Sequence, residues 1–201
     1  MALRWSKKQA PKPDDDPNSI PARHSQALGT VVMAWSDLEF EIEYAIWELM
    51  DSPQALSACL TAQMISPIAK LNALQSLVRL YQFGKKLEDR LAKFSGSLAP
   101  LIERRNRIIH DKRIWNPANG HIRRITVTAR TRLKFMEETE TFDDLKKFIQ
   151  DAMNARQDFM KIRDAIMERR DATRGLPPEQ KPQLPRLNRR AVPEDQANGA
   201  E

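Results

Sequence analysis

The sequence predicts a mainly α-helical fold, a helical bundle of about five helices with a short β-hairpin inserted before the last helix. Apolar side chains recur at the spacing of amphipathic helices through most of the chain. Nine of the thirteen prolines lie near the two ends, within residues 11–21 and 177–193. We therefore expect one helical domain over residues 21–171, between a disordered N-terminal tail (1–20) and a disordered C-terminal tail (172–201).

Five segments carry both the helical pattern and helix start and stop signals. They span residues 25–51, 53–64, 67–83, 85–110 and 141–170. The last segment begins with TFDD, in which Thr141 suits an N-cap and the two aspartates suit the positive end of the helix dipole.

The segment before the last helix has a different period. In HIRRITVTARTRLKFMEE, Ile125 and Val127, and then Leu133 and Phe135, alternate with polar residues. Alternation at period two is typical of a β-strand with one buried face. It predicts a hairpin at about residues 121–138.

The composition argues against a membrane protein and against a metal site. No apolar stretch approaches the length of a membrane span, and no apolar region of a signal peptide follows the charged N-terminus. Cys59 is the single cysteine, and no histidine lies at ligand spacing from it or from another histidine. We expect a cytoplasmic protein with no metal, no cofactor and no membrane partner.

Positive charge is concentrated in one part of the chain. From Arg104 to Lys134 there are ten lysines and arginines against one acid, Asp111, whereas the rest of residues 21–171 has fourteen basic and nineteen acidic residues. Such a block can be a solvated surface, but eight of the ten are arginines, whose planar guanidinium groups suit phosphate. The candidate nucleic-acid-binding residues are Arg104, Arg107, Lys112, Arg113, Arg123, Arg124, Arg130 and Arg132.

Two charged residues fall on apolar helix faces. Arg105 lies in the middle of the stripe formed by Leu98, Leu101 and Ile109, and Glu39 lies within the apolar arc of the first helix, while Glu41 projects to its far side. Either charge buried alone would cost several kcal/mol. We therefore expect Glu39 to contact Arg105, as a structural ion pair or as support for a functional site.

The first helix has a second apolar side, formed by Met33, Phe40, Tyr44 and Trp47. A helix that is apolar on two sides needs two packing partners. The second partner can be another helix of the same chain or a second copy of the protein, and we favour a homodimer.

The sequence RNRIIH, from Arg105 to His110, resembles the R-N-x-x-x-H signature of the HEPN superfamily. The resemblance covers about residues 25–170, although only the six-residue motif is specific. It implies a dimeric helical bundle, and the catalytic members of the family are metal-independent endoribonucleases in toxin, antiviral and RNA-processing systems. Asp111 departs from the pattern, because a small residue often follows the histidine.

The chemistry that the resemblance implies is attack of an RNA 2′-hydroxyl on the adjacent phosphate, which leaves a 2′,3′-cyclic phosphate and a 5′-hydroxyl. His110 would transfer protons, Arg105 would stabilise charge on the phosphoryl oxygens, and Asn106 would orient the histidine or hold the phosphate. Arg105 and His110 are about 140° apart around an ideal helix, so two copies would have to share a site. Glu39 would support it.

Three functions remain open from the sequence. The first is an RNA-cleaving toxin or antiviral defence effector of the HEPN type, with an inhibitory protein as a further partner. The second is a catalytically inactive HEPN-like module for dimerisation or nucleotide binding. The third is a basic helical adaptor that binds nucleic acid through the arginine-rich block, in which case RNRIIH is a coincidence.

Overall fold

The computed structural model describes residues 20–116, 118–128 and 134–176. It confirms the mainly α fold and the β-structure before the last helix. The elements in chain order are α1 (Ala22–Met50), α2 (Gln54–Ala62), α3 (Pro67–Leu80), α4 (Lys85–His110), β1 (Lys112–Asn116), β2 (His121–Thr128), β3 (Lys134–Glu140) and α5 (Phe142–Arg174).

The described residues include the ends of the helical domain but little of the two predicted tails. Residues 1–19 and 177–201, which hold nearly all of both predicted tails, lie outside the described residues. Helix α5 continues to Arg174, three residues beyond the predicted boundary at 171. None of the helices in the described part of the chain is long and apolar enough to cross a membrane.

Helix α1 forms the centre of the core. Its main apolar stripe, which includes Val31, Leu38 and Ile42, is fully buried and packs chiefly against α5, with α3 beside it. Helix α4 packs against α3 and α5, and Phe94 contacts Phe159 with the ring centroids 5.4 Å apart. Burial of these side chains is the main favourable contribution to the fold.

Ion pairs run along the polar side of the α1–α5 contact. Arg156 and Arg163 of α5 both bind the carboxylate of Glu41, and Arg170 binds Glu48. We expected Glu41 to project away from the core, but it is buried because α5 packs over that side of α1. The three arginines recur every seven residues, which keeps them on one face of α5.

The predicted hairpin is β2 and β3, and β1 adds a strand that the sequence did not indicate. The three strands form an antiparallel sheet in the order β1-β2-β3. Helix α4 ends at His110 because Asp111 adopts an extended backbone, with φ −71° and ψ 142°, and β1 begins at the next residue. The five-residue strand is too short for its alternation to be distinguished from the end of a helix.

Helix α5 begins with the predicted cap. The Thr141 hydroxyl oxygen accepts a hydrogen bond from the Asp144 backbone at 3.1 Å, and the Asp144 carboxylate accepts one from the Thr141 backbone at 2.9 Å. This is a capping box. Hydrogen bonds from Thr141 lower the pKa of Asp144 below its ordinary value. The cap sets the point at which the chain leaves β3 and returns to the helical layer.

Candidate functional site

The motif RNRIIH forms the last turns of α4. Ile108 is buried against the core and fixes the orientation of the helix, so that Asn106 and His110 are both exposed. These two residues are four positions apart, and they therefore lie on the same side of α4 one turn from each other. An amide and an imidazole thus reach solvent together.

Arg105 is half-buried beside them. Its Nη1 atom donates a hydrogen bond to Asn106 Oδ1 at 3.2 Å, and its guanidinium carbon lies 6.0 Å from the centre of the Trp35 ring. Its Nε atom is buried and has no hydrogen-bond partner. The guanidinium group is therefore held between an aromatic ring of α1 and the exposed amide of the motif.

The expected contact between Glu39 and Arg105 is not among the ion pairs that the described residues form. Glu39 Oε1 lies 3.7 Å from Lys70 Nζ, and Glu43 Oε1 lies 2.5 Å from the same atom. The Lys70 side chain, on α3, is almost fully buried between the two carboxylates. Helix α3 packs against this side of α1 and supplies the positive charge that we had expected from α4.

Most of the arginine-rich block is neutralised within the fold. Arg113 donates two hydrogen bonds to Glu140, at 2.7 and 2.8 Å, and the two side chains are only 7% and 2% exposed. Arg124 binds Glu138 and lies 3.5 Å from Glu140. The acids come from β3, which pairs with the strand of Arg124 and lies two strands from Arg113, so the sheet joins residues that are distant in sequence. Arg113 in particular has no exposed donor group to offer to a phosphate.

The other arginines of the block are also paired. Arg123 Nη1 lies 2.6 Å from Glu137 Oε1. Arg107 binds Glu103 at 2.9 Å, and this hydrogen bond raises the pKa of Arg107 above its ordinary value.

Arg104, which we expected to bind nucleic acid, instead contacts α5. It binds Asp151 at 3.0 Å and lies over the Phe148 ring. Of the arginines in residues 104–116 and 118–128, Arg105 is the one without a carboxylate partner.

The last three candidate cations are Lys112, Arg130 and Arg132. Lys112 is exposed at the start of β1 and forms no ion pair within the described part of the chain. Arg130 and Arg132 lie outside the described residues.

Asp111, which departs from the family pattern, is held by the sheet. Its Oδ2 atom accepts a hydrogen bond from Thr126 at 2.5 Å and lies 3.5 Å from Arg124 Nε. The carboxylate is only 14% exposed. The Asp111 carboxylate therefore points toward β2, and Arg124 compensates its charge.

Two features were missed by sequence reasoning. Glu140 is buried at the junction of β3 and α5, where it binds Arg113. The sequence signal that could have indicated this position is its spacing of two residues from Glu138, which puts both acids on one face of the strand. His24 of α1 is buried near Phe142, with its Nε2 atom unpaired, and burial lowers its pKa below the ordinary value. Neither residue touches the motif side chains in the contacts described above.

In the structure Arg105 is hydrogen-bonded to Asn106, which lies one turn from His110, whereas Glu39 pairs with Lys70. Within residues 20–116, 118–128 and 134–176, no three histidine, cysteine, aspartate or glutamate side chains are grouped so as to hold a metal ion. No protein-family model, curated protein or solved structure matches this chain. The resemblance to the HEPN superfamily therefore rests on the six motif residues alone.

Proposed function

We propose that this chain is a metal-independent endoribonuclease of the HEPN type that acts as a homodimer. The observation that carries the proposal is the state of Arg105. In a block where the other described arginines bind carboxylates, its guanidinium is left without one and is directed at Asn106, one turn from the exposed His110. An uncompensated guanidinium that can stabilise phosphoryl oxygens and an exposed imidazole that can transfer protons are two groups that phosphate cleavage uses.

Each motif residue has a distinct role in the proposed reaction. His110 takes the proton of the attacking 2′-hydroxyl or gives a proton to the departing 5′-oxygen, and solvent exchanges the other proton. Its imidazole is exposed and therefore open to substrate. Arg105 stabilises the charge that grows on the phosphoryl oxygens, and the amide of Asn106 fixes the guanidinium through its 3.2 Å hydrogen bond. The products are a 2′,3′-cyclic phosphate and a free 5′-hydroxyl.

A second copy completes the site in this proposal. The positions of Arg105 and His110 diverge by about 140° around α4, so we assign the arginine of each site to one subunit and the histidine to the other. The dimerising surface is the aromatic cluster of α1, defined as Phe40, Tyr44 and Trp47, in which Phe40 is exposed and the other two rings are half-buried. Phe40 lies 6.3 Å from Tyr44 and 5.8 Å from Trp47, ring centre to ring centre, and is 53% exposed. Clustered exposed aromatic side chains are typical of protein interfaces.

The proposal includes a biological setting. A ribonuclease of this type acts on cytoplasmic RNA, as a toxin or an antiviral defence effector, and an inhibitory protein restrains it in the producing cell. The alternative of a basic adaptor is weaker than the sequence indicated, because Arg113 and Arg124 are largely buried and bind acids of their own sheet. The alternative of an inactive HEPN-like module keeps the dimer and the fold.

The test is cleavage of purified single-stranded RNA in excess EDTA. We expect His110→Ala and Arg105→Ala each to reduce the cleavage rate by about 100-fold or more, since one proton-transfer or charge-stabilising group contributes that much. The matched control is Arg90→Ala, an exposed arginine of α4 about 22 Å before Arg105. This variant should cleave as the wild type does.

Two results would contradict the proposal. A wild-type protein that binds RNA without cleaving it would favour the inactive module. Cleavage that persists unchanged in His110→Ala would place the activity elsewhere on the protein or in a contaminant.

A further inference from the structure

The sheet has one face whose side chains are mostly exposed in the described part of the chain. We call it the outer face, and it is formed by Lys112, Arg123, Ile125, Val127, Phe135 and Glu137. The strand register places these residues together, because Val127 pairs with Phe135, and Ile125 pairs with both Lys112 and Glu137. Side chains on paired positions of neighbouring strands lie on the same side of a sheet.

The opposite face anchors the sheet. Ile122, Thr126 and Glu140 alternate with the outer positions and are buried. This inner face holds the Arg113–Glu140 ion pair and the hydrogen bond from Thr126 to Asp111. The sheet is therefore fixed by its polar inner side, which leaves its other side open.

The outer face is both apolar and cationic. Phe135 is 69% exposed and Val127 is 52% exposed, which is unusual for a cross-strand aromatic–aliphatic pair. Lys112 is exposed and unpaired within the described part of the chain, and Arg123 shares its charge with Glu137.

The outer face is also close to the motif. Strand β1 begins at Lys112, and His110 is the last residue of α4. The two Cα atoms are therefore at most about 7.6 Å apart. The Thr126–Asp111 hydrogen bond, at 2.5 Å, fixes the sheet to the residue that links them. The outer face therefore begins two residues after His110 in the chain.

We propose that the outer face binds single-stranded RNA, with a base stacked on Phe135 and the backbone phosphates beside Lys112 and Arg123, and that it delivers this strand to His110. This inference rests on the proposed function and adds to it the class of substrate. Exposed aromatic side chains interleaved with cations bind unpaired bases, whose ring faces are free, whereas the bases of a duplex are stacked on each other.

The experiment measures binding without cleavage. The probe is a fluorescein-labelled, 2′-O-methyl oligoribonucleotide of about 12 nucleotides, whose attacking hydroxyl is blocked, and its Kd is measured by anisotropy beside that of the same strand in a duplex. Phe135→Leu keeps the apolar side chain and removes the ring, while Phe135→Trp keeps a stacking surface. Met136→Ala is the matched control, because Met136 is partly exposed on the opposite face one residue along β3.

We expect the wild type to bind the single strand more tightly than the duplex. Phe135→Leu should raise the Kd by between about 5-fold and about 150-fold, the range for the loss of one base–aromatic stack. Phe135→Trp and Met136→Ala should bind within about twofold of the wild type. Circular dichroism of each variant checks that the fold is retained.

The outcomes separate this inference from the proposed function. Equal affinity for duplex and single strand, or wild-type affinity in Phe135→Leu, would overturn the inference even if the protein cleaves RNA, and would favour a protein partner for the apolar patch. Loss of binding in Phe135→Leu would support it even if cleavage in EDTA is absent, because the probe cannot be cleaved.

Discussion

At the scale of single residues, the Arg113–Glu140 pair is the contact on which the sheet depends most. Both side chains are nearly excluded from solvent, and two hydrogen bonds join them. Removing one partner leaves the other as an uncompensated buried charge, so Arg113→Ala should lower the free energy of unfolding by about 3–5 kcal/mol. Urea unfolding measures this. The control is Arg123→Ala, whose half-exposed pair with Glu137 should contribute less than about 1 kcal/mol; an equal loss in both variants would contradict the account.

His24 should make stability depend on pH. Burial lowers its pKa below the ordinary value of 6.5, while the negative charge of Glu140 acts in the opposite direction and Arg23 and Arg113 add to the lowering. The unfolded chain therefore binds a proton on His24 at a higher pH than the folded chain does. Stability is full above about pH 6.5 and falls as the pH drops through the lower, folded pKa.

The variant His24→Leu should lose this part of the pH dependence. It also removes a buried Nε2 atom that has no hydrogen-bond partner. The measurement is the urea midpoint at about pH 7.5 and about pH 5, relative to His121→Leu, which changes an exposed histidine. An identical fall in both variants would show that other groups cause the dependence.

Residue partners were the least predictable feature of this chain. Between Arg104 and Lys134 the sequence has ten cations and one acid. A count of charges within this segment does not include Glu140, which is 27 positions from Arg113 and binds it in the folded sheet. The same reasoning failed for Glu39, because the position of Lys70 depends on how α3 packs against α1. That Arg105, Asn106 and His110 share one helix could be predicted, because the spacing of a short helical motif is local.

At the scale of elements, the capping box of α5 gives a direct test. Thr141→Ala removes the hydroxyl that accepts from the Asp144 backbone and donates to its carboxylate at 2.7 Å. We expect a loss of about 1 kcal/mol in the free energy of unfolding. The pKa of Asp144 should also rise toward its ordinary value, since hydrogen bonds from Thr141 are the main cause of its lowering.

The control for the cap is Thr30→Ala. Its hydroxyl bonds only a carbonyl of its own helix, Gln26 O at 3.1 Å, so alanine should leave stability unchanged or raise it slightly. A cap variant as stable as the control would contradict the assigned role. Carboxyl titration by NMR gives the Asp144 shift independently.

Helices were predicted well because each one repeats its signal over several turns. The predicted span 85–110 has the bounds of α4, since glycine precedes it and the apolar stripe continues to its end. Strand β1 was missed because KRIWN offers only five residues and acquires its identity by pairing with β2. A strand of that kind depends on a partner that lies elsewhere in the sequence.

At the scale of the whole molecule, one surface of α1, one surface of the sheet and the motif residues Asn106 and His110 are exposed in the described part of the chain. The core is closed by α1, α3, α4 and α5, yet Phe40 remains exposed on α1 and Phe135 on the sheet. We assign the first surface to a second copy and the second to RNA. Both assignments lead to the same arrangement, in which Arg105 of one subunit and His110 of the other act on one strand.

The measurement that tests this arrangement most directly is complementation between two inactive variants. Arg105→Ala and His110→Ala are co-expressed with different tags, and RNA cleavage in EDTA is compared with that of each variant alone. In a shared site, each mixed dimer has one intact arginine–histidine pair, so random pairing should restore about a quarter of the wild-type rate. A mixed dimer that is as inactive as its parents would contradict the account.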